Sequence, residues 1–156
     1  MSKKTFNKIF NFQTQMAVGD VGEQAFIKAY SNLGPVKSKD RAFDFHLKDG
    51  KTVELKSDSY AMEDTENFFM EISAHGGLGG PYRALNDNVD FFIYYFLKNK
   101  TFFWFDTKKL CAKLDELILT KKYKIKSIRS TSWVVEGYTI PRSDLECVLQ
   151  RKDVFS

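Results

Sequence analysis

Asp44, Glu54 and Lys56 are the residues whose types and spacing point to chemistry. Glu54 and Lys56 are two positions apart, so in a strand they project from one face, about 7 Å apart along the chain. Their neighbours Val53 and Leu55 then point the other way, into a core. Asp44 lies in a similar run, in which Phe43, Phe45 and Leu47 alternate with Asp44, His46 and Lys48. Between the two runs Asp49-Gly50 is a strong turn signal, and together they predict an antiparallel hairpin. Its closure sets Asp44 nearly opposite Glu54 and Lys56. Converging carboxylates repel unless a cation sits between them. Two carboxylates with open water positions make a hard, oxygen-rich site, suited to Mg²⁺ with Mn²⁺ as a substitute, and not to zinc. Such an ion would polarise a phosphodiester and lower the pKa of a water. A lysine beside it can position that water or stabilise negative charge developing on phosphorus.

Each of these residues has a plainer reading when taken alone. Glu54 and Lys56 fit the solvent face of an edge strand, and Asp44 fits a turn. Only their order and register together favour chemistry. Glu23 belongs with them, at the edge of the apolar stripe of a helix and able to reach over a sheet end. His46 shares the face of Asp44, and Glu71 shares a parity with Phe69 and Ser73 in the next strand. Both are candidates for supporting the site, with an ordinary polar strand residue as the alternative. His75 beside Gly76-Gly77 reads as turn chemistry. The loop from Gly76 to Gly80 lacks the Gly-Lys-Ser/Thr ending of a phosphate-binding loop.

The elements that must hold these residues follow from periodicity. Val18, Gly22, Ala25, Phe26, Ala29, Tyr30 and Leu33 predict a helix from Met16 to Leu33, stopped by Gly34-Pro35. A basic loop with Lys37, Lys39 and Arg41 leads into the hairpin. Strands are predicted at Asn67–Ser73, Asp90–Leu97, Thr101–Phe105 and around Trp133–Glu136. Thr107 is the predicted cap of a helix reaching about Leu119, and Pro141 and Ser143 open a last short helix. This order suits an α/β or α+β domain around one central sheet. Residues 1–15 read as an arm and residues 16–156 as one domain.

The residues Gly22-Glu23 on a helix, Asp44 at a strand, and Glu54-Leu55-Lys56 on the next strand resemble the PD-(D/E)XK nuclease superfamily. That superfamily includes type II restriction enzymes, Holliday-junction resolvases and phage recombination exonucleases. The resemblance covers residues 19–56 well and 67–106 loosely, where Asn67–Ser73, the Gly-rich loop and Asp90 are similar to small phage-borne nucleases. Phe43 stands where the motif's Pro would be. The resemblance implies a restriction-endonuclease-like mixed sheet of about five strands flanked by helices. It implies that Asp44 and Glu54 bind Mg²⁺, that Lys56 assists water and transition state, and that Glu23 completes the site. It also implies a DNA endonuclease cutting duplex or branched DNA as a homodimer or higher homo-oligomer. The alternative is a DNA-binding module of the same fold that does not cut.

Composition agrees with a globular nucleic-acid partner without establishing one. The 156 residues are 43% hydrophobic and 28% charged, with a formal net charge of +4. Candidate phosphate contacts are Lys37, Lys39, Arg41 and Arg83, and the basic run Lys121, Lys122, Lys124, Lys126 and Arg129. Cys111 and Cys147 form no CxxC unit, so zinc is unsupported and a reducing compartment is expected. Met1–Gln15 lacks a signal-peptide core, and Phe91–Leu97 is too short to cross a membrane. The expected location is the cytoplasm, the host's if the chain is phage-encoded.

Overall fold

A helix opens the chain's described part because apolar and small residues recur every fourth position. Val18, Gly22, Phe26 and Tyr30 form its buried stripe. The protein is represented by a computed structural model that describes residues 17–121, 123–129 and 134–156. This first helix, α1 (17–29), gives way to a 3-10 turn at Ser31–Leu33, earlier than the sequence expectation of a helix to Leu33. Gly34 closes it in the left-handed conformation at φ 62°, where a side chain would be strained. The proposed arm, residues 1–15, lies outside the described residues.

Five strands and a helix follow. They are β1 (Val36–Lys37), β2 (Phe45–His46), β3 (Thr52–Asp58), β4 (Asn67–Ala74) and, after β5 (Gly77–Leu78), α2 (Gly80–Asn86). Beyond them come β6 (Phe91–Phe96), β7 (Thr101–Asp106), α3 (Thr107–Lys121), β8 (Ile125–Arg129) and β9 (Val134–Pro141). A 3-10 segment, Arg142–Val148, leads to β10 (Leu149–Val154).

The strands form two sheets, which corrects the expectation of one central sheet of about five strands. The main sheet has six strands in the order β1-β2-β3-β6-β7-β10. It is mixed, because β3 runs parallel to β6 while the other pairs are antiparallel. The second sheet has four strands in the order β5-β4-β9-β8. Strand β4 stacks on the main sheet, with Phe68 and Met70 buried against it. The mixed α/β class holds.

Two apolar clusters sit on opposite faces of the main sheet. On one face α1 brings Phe26 and Tyr30 onto Phe45, Val53, Ile93, Tyr95, Phe102 and Trp104. On the other, Phe92, Tyr94, Phe96, Phe103 and Phe105 meet Phe68 and Met70 of β4 and Leu110 and Leu114 of α3. Strands β6 and β7 are covered on both sides, which is why they read as nearly unbroken apolar runs. The outer strands are exposed: β10 mostly so, and every residue of β8.

Local chemistry accounts for other departures. Asp106, not Thr107, caps α3, since its Oδ1 accepts the Lys109 N–H at 3.0 Å. Thr107 is instead buried at 1% exposure, with its Oγ1 unpartnered. Helix α2 begins at a Pro near its first turn, a start signal that the Gly-rich surroundings concealed.

Candidate active site

The predicted hairpin exists in the predicted register. Phe45 pairs with Val53 and His46 with Thr52. Gly50, at φ 89°, and the Leu47–Lys51 backbone bond of 2.8 Å close its turn. Strand β2 is shorter than the expected run from Phe43 to Leu47, and it ends at Asp44 for a specific reason. The Asp44 N–H donates to the Val53 carbonyl at 2.9 Å. Its carboxylate Oδ2 accepts the Leu55 N–H at 2.7 Å. Asp44 therefore bonds to both chain neighbours of Glu54, which fixes the two acidic residues side by side.

Their electrostatics show how close that arrangement is to unfavourable. Both are half-buried. Burial pushes the Glu54 carboxyl up to about 8, and the neighbouring Asp44 charge adds to the shift while Arg83 opposes it. Asp44 is also raised, mainly by burial and further by Glu23, with the Leu55 N–H and Lys37 pulling the other way. The field of Glu23 thus reaches both Asp44 and Glu54.

Helix α1 delivers Glu23 through an unusually close approach. A Cβ at Gly22 would lie 1.8 Å from the Ser57 hydroxyl oxygen, so only glycine lets the helix rest on β3 there. Glu23 follows directly. Its Oε2 takes the Lys37 ammonium of β1 at 2.5 Å.

Lys56 is held on another side. Its ammonium donates to Glu71 Oε1 at 3.1 Å. Glu71 stands on β4, and β4 is anchored over the main sheet by Tyr94. The Tyr94 hydroxyl donates to Asp58 Oδ2 at 2.6 Å and accepts the Phe69 N–H at 3.2 Å. Gly80, the first residue of α2, lies close against that strand, since a Cβ there would sit 3.0 Å from the Glu71 Cβ. Of the two expected supporting residues, Glu71 therefore touches Lys56. His46 is exposed and packs edge-on against Phe43 at 4.6 Å.

The basic candidates separate into two groups. Lys37, Lys39 and Arg41 are exposed beside Asp44, and Arg83 Nη2 donates to the Arg41 carbonyl at 3.4 Å. Arg83 also faces Asp87 at 3.7 Å, one helical turn on. Lys126 and Arg129 lie on the exposed edge strand β8, and Lys124 just before it. Lys126 pairs with Gly137, and Gly137 with Glu71, so Lys126 shares a rung with Glu71 roughly 10 Å away, two strand spacings. Lys122 and the Lys121 side chain lie outside the described residues. Sequence reasoning missed Asp87 and the partnership of Lys37 with Glu23; the Arg83-to-Asp87 spacing on a helix was the available signal for the first.

Among the described residues no three His, Cys, Asp or Glu side chains cluster tightly enough to hold a metal among them. Asp44 and Glu54 as a pair do fit a hard divalent cation. Mg²⁺ commonly takes one or two carboxylates and fills its remaining positions with water and phosphate oxygens. A cation between them would also favour the charged form of both carboxyls, which burial disfavours. A separate cavity of ≈ 440 Å³, lined by Phe68, Phe103, Phe105, Arg142 and Leu145 among others, contains none of these residues.

No family model, curated protein or solved structure matches this chain. Among the described residues no helix is long and apolar enough to cross a membrane.

Proposed function

We propose that the chain is a Mg²⁺-dependent endodeoxyribonuclease with a PD-(D/E)XK-like active centre, acting on duplex or branched DNA as a homo-oligomer. The observation that carries this reading is the grip of Asp44 on both neighbours of Glu54, with Lys56 two residues further along the same strand face. Two half-buried carboxylates side by side are costly to the fold unless a cation offsets their charge.

Asp44 and Glu54 would hold the metal, with Glu23 at its margin. A bound Mg²⁺ supplies charge to polarise the phosphodiester and acidify water. The remaining work belongs to the chain's own groups. Asp44 is fixed by the Leu55 N–H, so it needs no reorganisation to ligate. Lys56, steered by Glu71, brings a positive charge to the strand face where phosphate oxygens gain negative charge. Arg83 and the segment from Lys37 to Arg41 flank that face and orient the backbone to be cut.

The alternative, a binding module without cleavage, draws on one feature: the Lys56 ammonium is ion-paired to Glu71 on β4. Cleavage assays on supercoiled plasmid and a four-way junction, with Mg²⁺, Mn²⁺ or EDTA, separate the two. The nuclease reading expects metal-dependent cutting that Lys56→Ala reduces about 10²- to 10³-fold. Gel shifts without cutting in any metal would establish the module instead.

A further inference from the structure

The carboxylate site carries its own counter-ions, and they are not equivalent. Arg83 is tied to a backbone carbonyl and to Asp87. Lys37 is not: its ammonium bonds only to Glu23 among the described residues, and its side chain is 62% exposed against 20% for Glu23. Its charge is felt at Asp44, and it lies in the field of Asp20 as well. Lys37 also begins the exposed basic segment that runs through Lys39 to Arg41. One ammonium therefore touches the acidic site with its tip and stands at the start of an exposed basic segment.

We propose that Lys37 is an exchangeable counter-ion: it holds Glu23 while the site is empty of metal, yields to a divalent cation, and then engages a DNA phosphate. The inference rests on the reading of Asp44 and Glu54 as metal ligands. Exposed ion pairs are weak, so a metal displaces the ammonium at small cost. Lysine is a compact charge on a flexible stem, able to turn from one anion to another without moving the backbone. Because a phosphate draws Lys37 away from the carboxylates, DNA favours metal binding, and metal favours DNA to the same degree. Metal and substrate would then load together, which limits a metal-loaded site without DNA.

The test uses the full chain carrying Lys56→Ala, so that DNA is not consumed, and measures Mn²⁺ uptake from the free-ion paramagnetic resonance signal. A blunt duplex oligonucleotide of mixed sequence is the DNA probe. Without DNA, adding Lys37→Gln tightens Mn²⁺ roughly three- to fivefold, as expected for loss of one exposed competing charge, and Lys37→Arg does not. The duplex tightens Mn²⁺ for the parent, and Lys37→Gln diminishes that gain. Equal or weaker Mn²⁺ binding by Lys37→Gln without DNA overturns the counter-ion role and leaves the metal site standing. If neither the wild type nor any variant takes up Mn²⁺, both the role and the metal-site reading fall.

Discussion

Gly22 of α1 faces Ser57 of β3 so closely that a single added carbon would lie 1.8 Å from the serine hydroxyl and 2.9 Å from its Cβ. That contact sets how near α1 comes to the strand bearing Glu54 and Lys56, and Glu23 is the next residue along the helix. Gly22→Ala is expected to destabilise the protein by about 1–3 kcal/mol through overpacking. Ser57→Ala in the same chain should recover only part of this, because the Cβ contact remains. Urea midpoints of the two variants check both statements. An alanine tolerated at no cost would mean that α1 is not seated on β3 as described.

The raised Glu54 carboxyl makes the stability of the metal-free protein depend on pH with a definite sign. A carboxyl whose folded value is about 8, against an ordinary 4.5, favours the fold when protonated. Its contribution is complete below about pH 4.5 and is lost as pH rises through about 8. Asp44, shifted in the same direction, adds to the trend. Glu54→Gln should therefore flatten the fall in melting temperature over this range. It should also raise the melting point of the metal-free protein at alkaline pH, by about 2–4 °C for each kcal/mol of the burial and charge penalty removed. Mg²⁺ should do the same for the wild type and nothing for Glu54→Gln. Parallel melting profiles of the two proteins across the range would contradict this electrostatic picture.

The part of this site that was legible in the sequence is the part governed by short-range geometry. Period-2 alternation and Asp49-Gly50 were enough to place Asp44 against Glu54, because a hairpin's register follows from its turn. The stripe through Phe26 and Tyr30 likewise located α1. The second sheet was not legible. A strand such as β4, buried on one face, alternates in the same way whether it joins a sheet or stacks on another. Strand β10, with Gln150, Arg151, Lys152 and Asp153, has the composition of a loop, and its pairing with β7 supplies what its side chains do not announce. The pairing of Lys37 with Glu23 depends on how helix and sheet meet, which no local pattern encodes.

Strand β10 is fastened to α1 by one polar chain inside an aromatic cluster. The Trp104 Nε1–H donates to the Tyr30 hydroxyl at 2.8 Å, and that hydroxyl donates to Asp153 Oδ2 at 2.6 Å. Arg151 completes it, with Nε 2.7 Å from the same carboxylate oxygen. Tyr30→Phe keeps the ring and removes the link, leaving the buried indole N–H without its acceptor. The expected cost is about 1–3 kcal/mol. Faster hydrogen exchange confined to β10 and its β7 neighbours would locate the loss; a uniform change across both sheets would not fit.

Asp44 serves structure and chemistry through the same carboxylate, and two substitutions separate these roles. Asp44→Asn keeps a side-chain oxygen able to accept the Leu55 N–H, so the end of β2 should hold and stability should change by less than about 1 kcal/mol. Removing a negative charge also relieves the neighbouring Glu54. Metal binding and cleavage should nevertheless collapse, since a neutral amide is a poor ligand for Mg²⁺ beside a single carboxylate. Asp44→Ala loses the acceptor as well and leaves a half-buried N–H unpaired, so it should be less stable than Asp44→Asn by about 1–3 kcal/mol while equally inactive. Denaturant titration alongside plasmid cleavage distinguishes the cases. An active, Mg²⁺-dependent Asp44→Asn would remove Asp44 from the ligand set and leave it the task of fixing Glu54 in place.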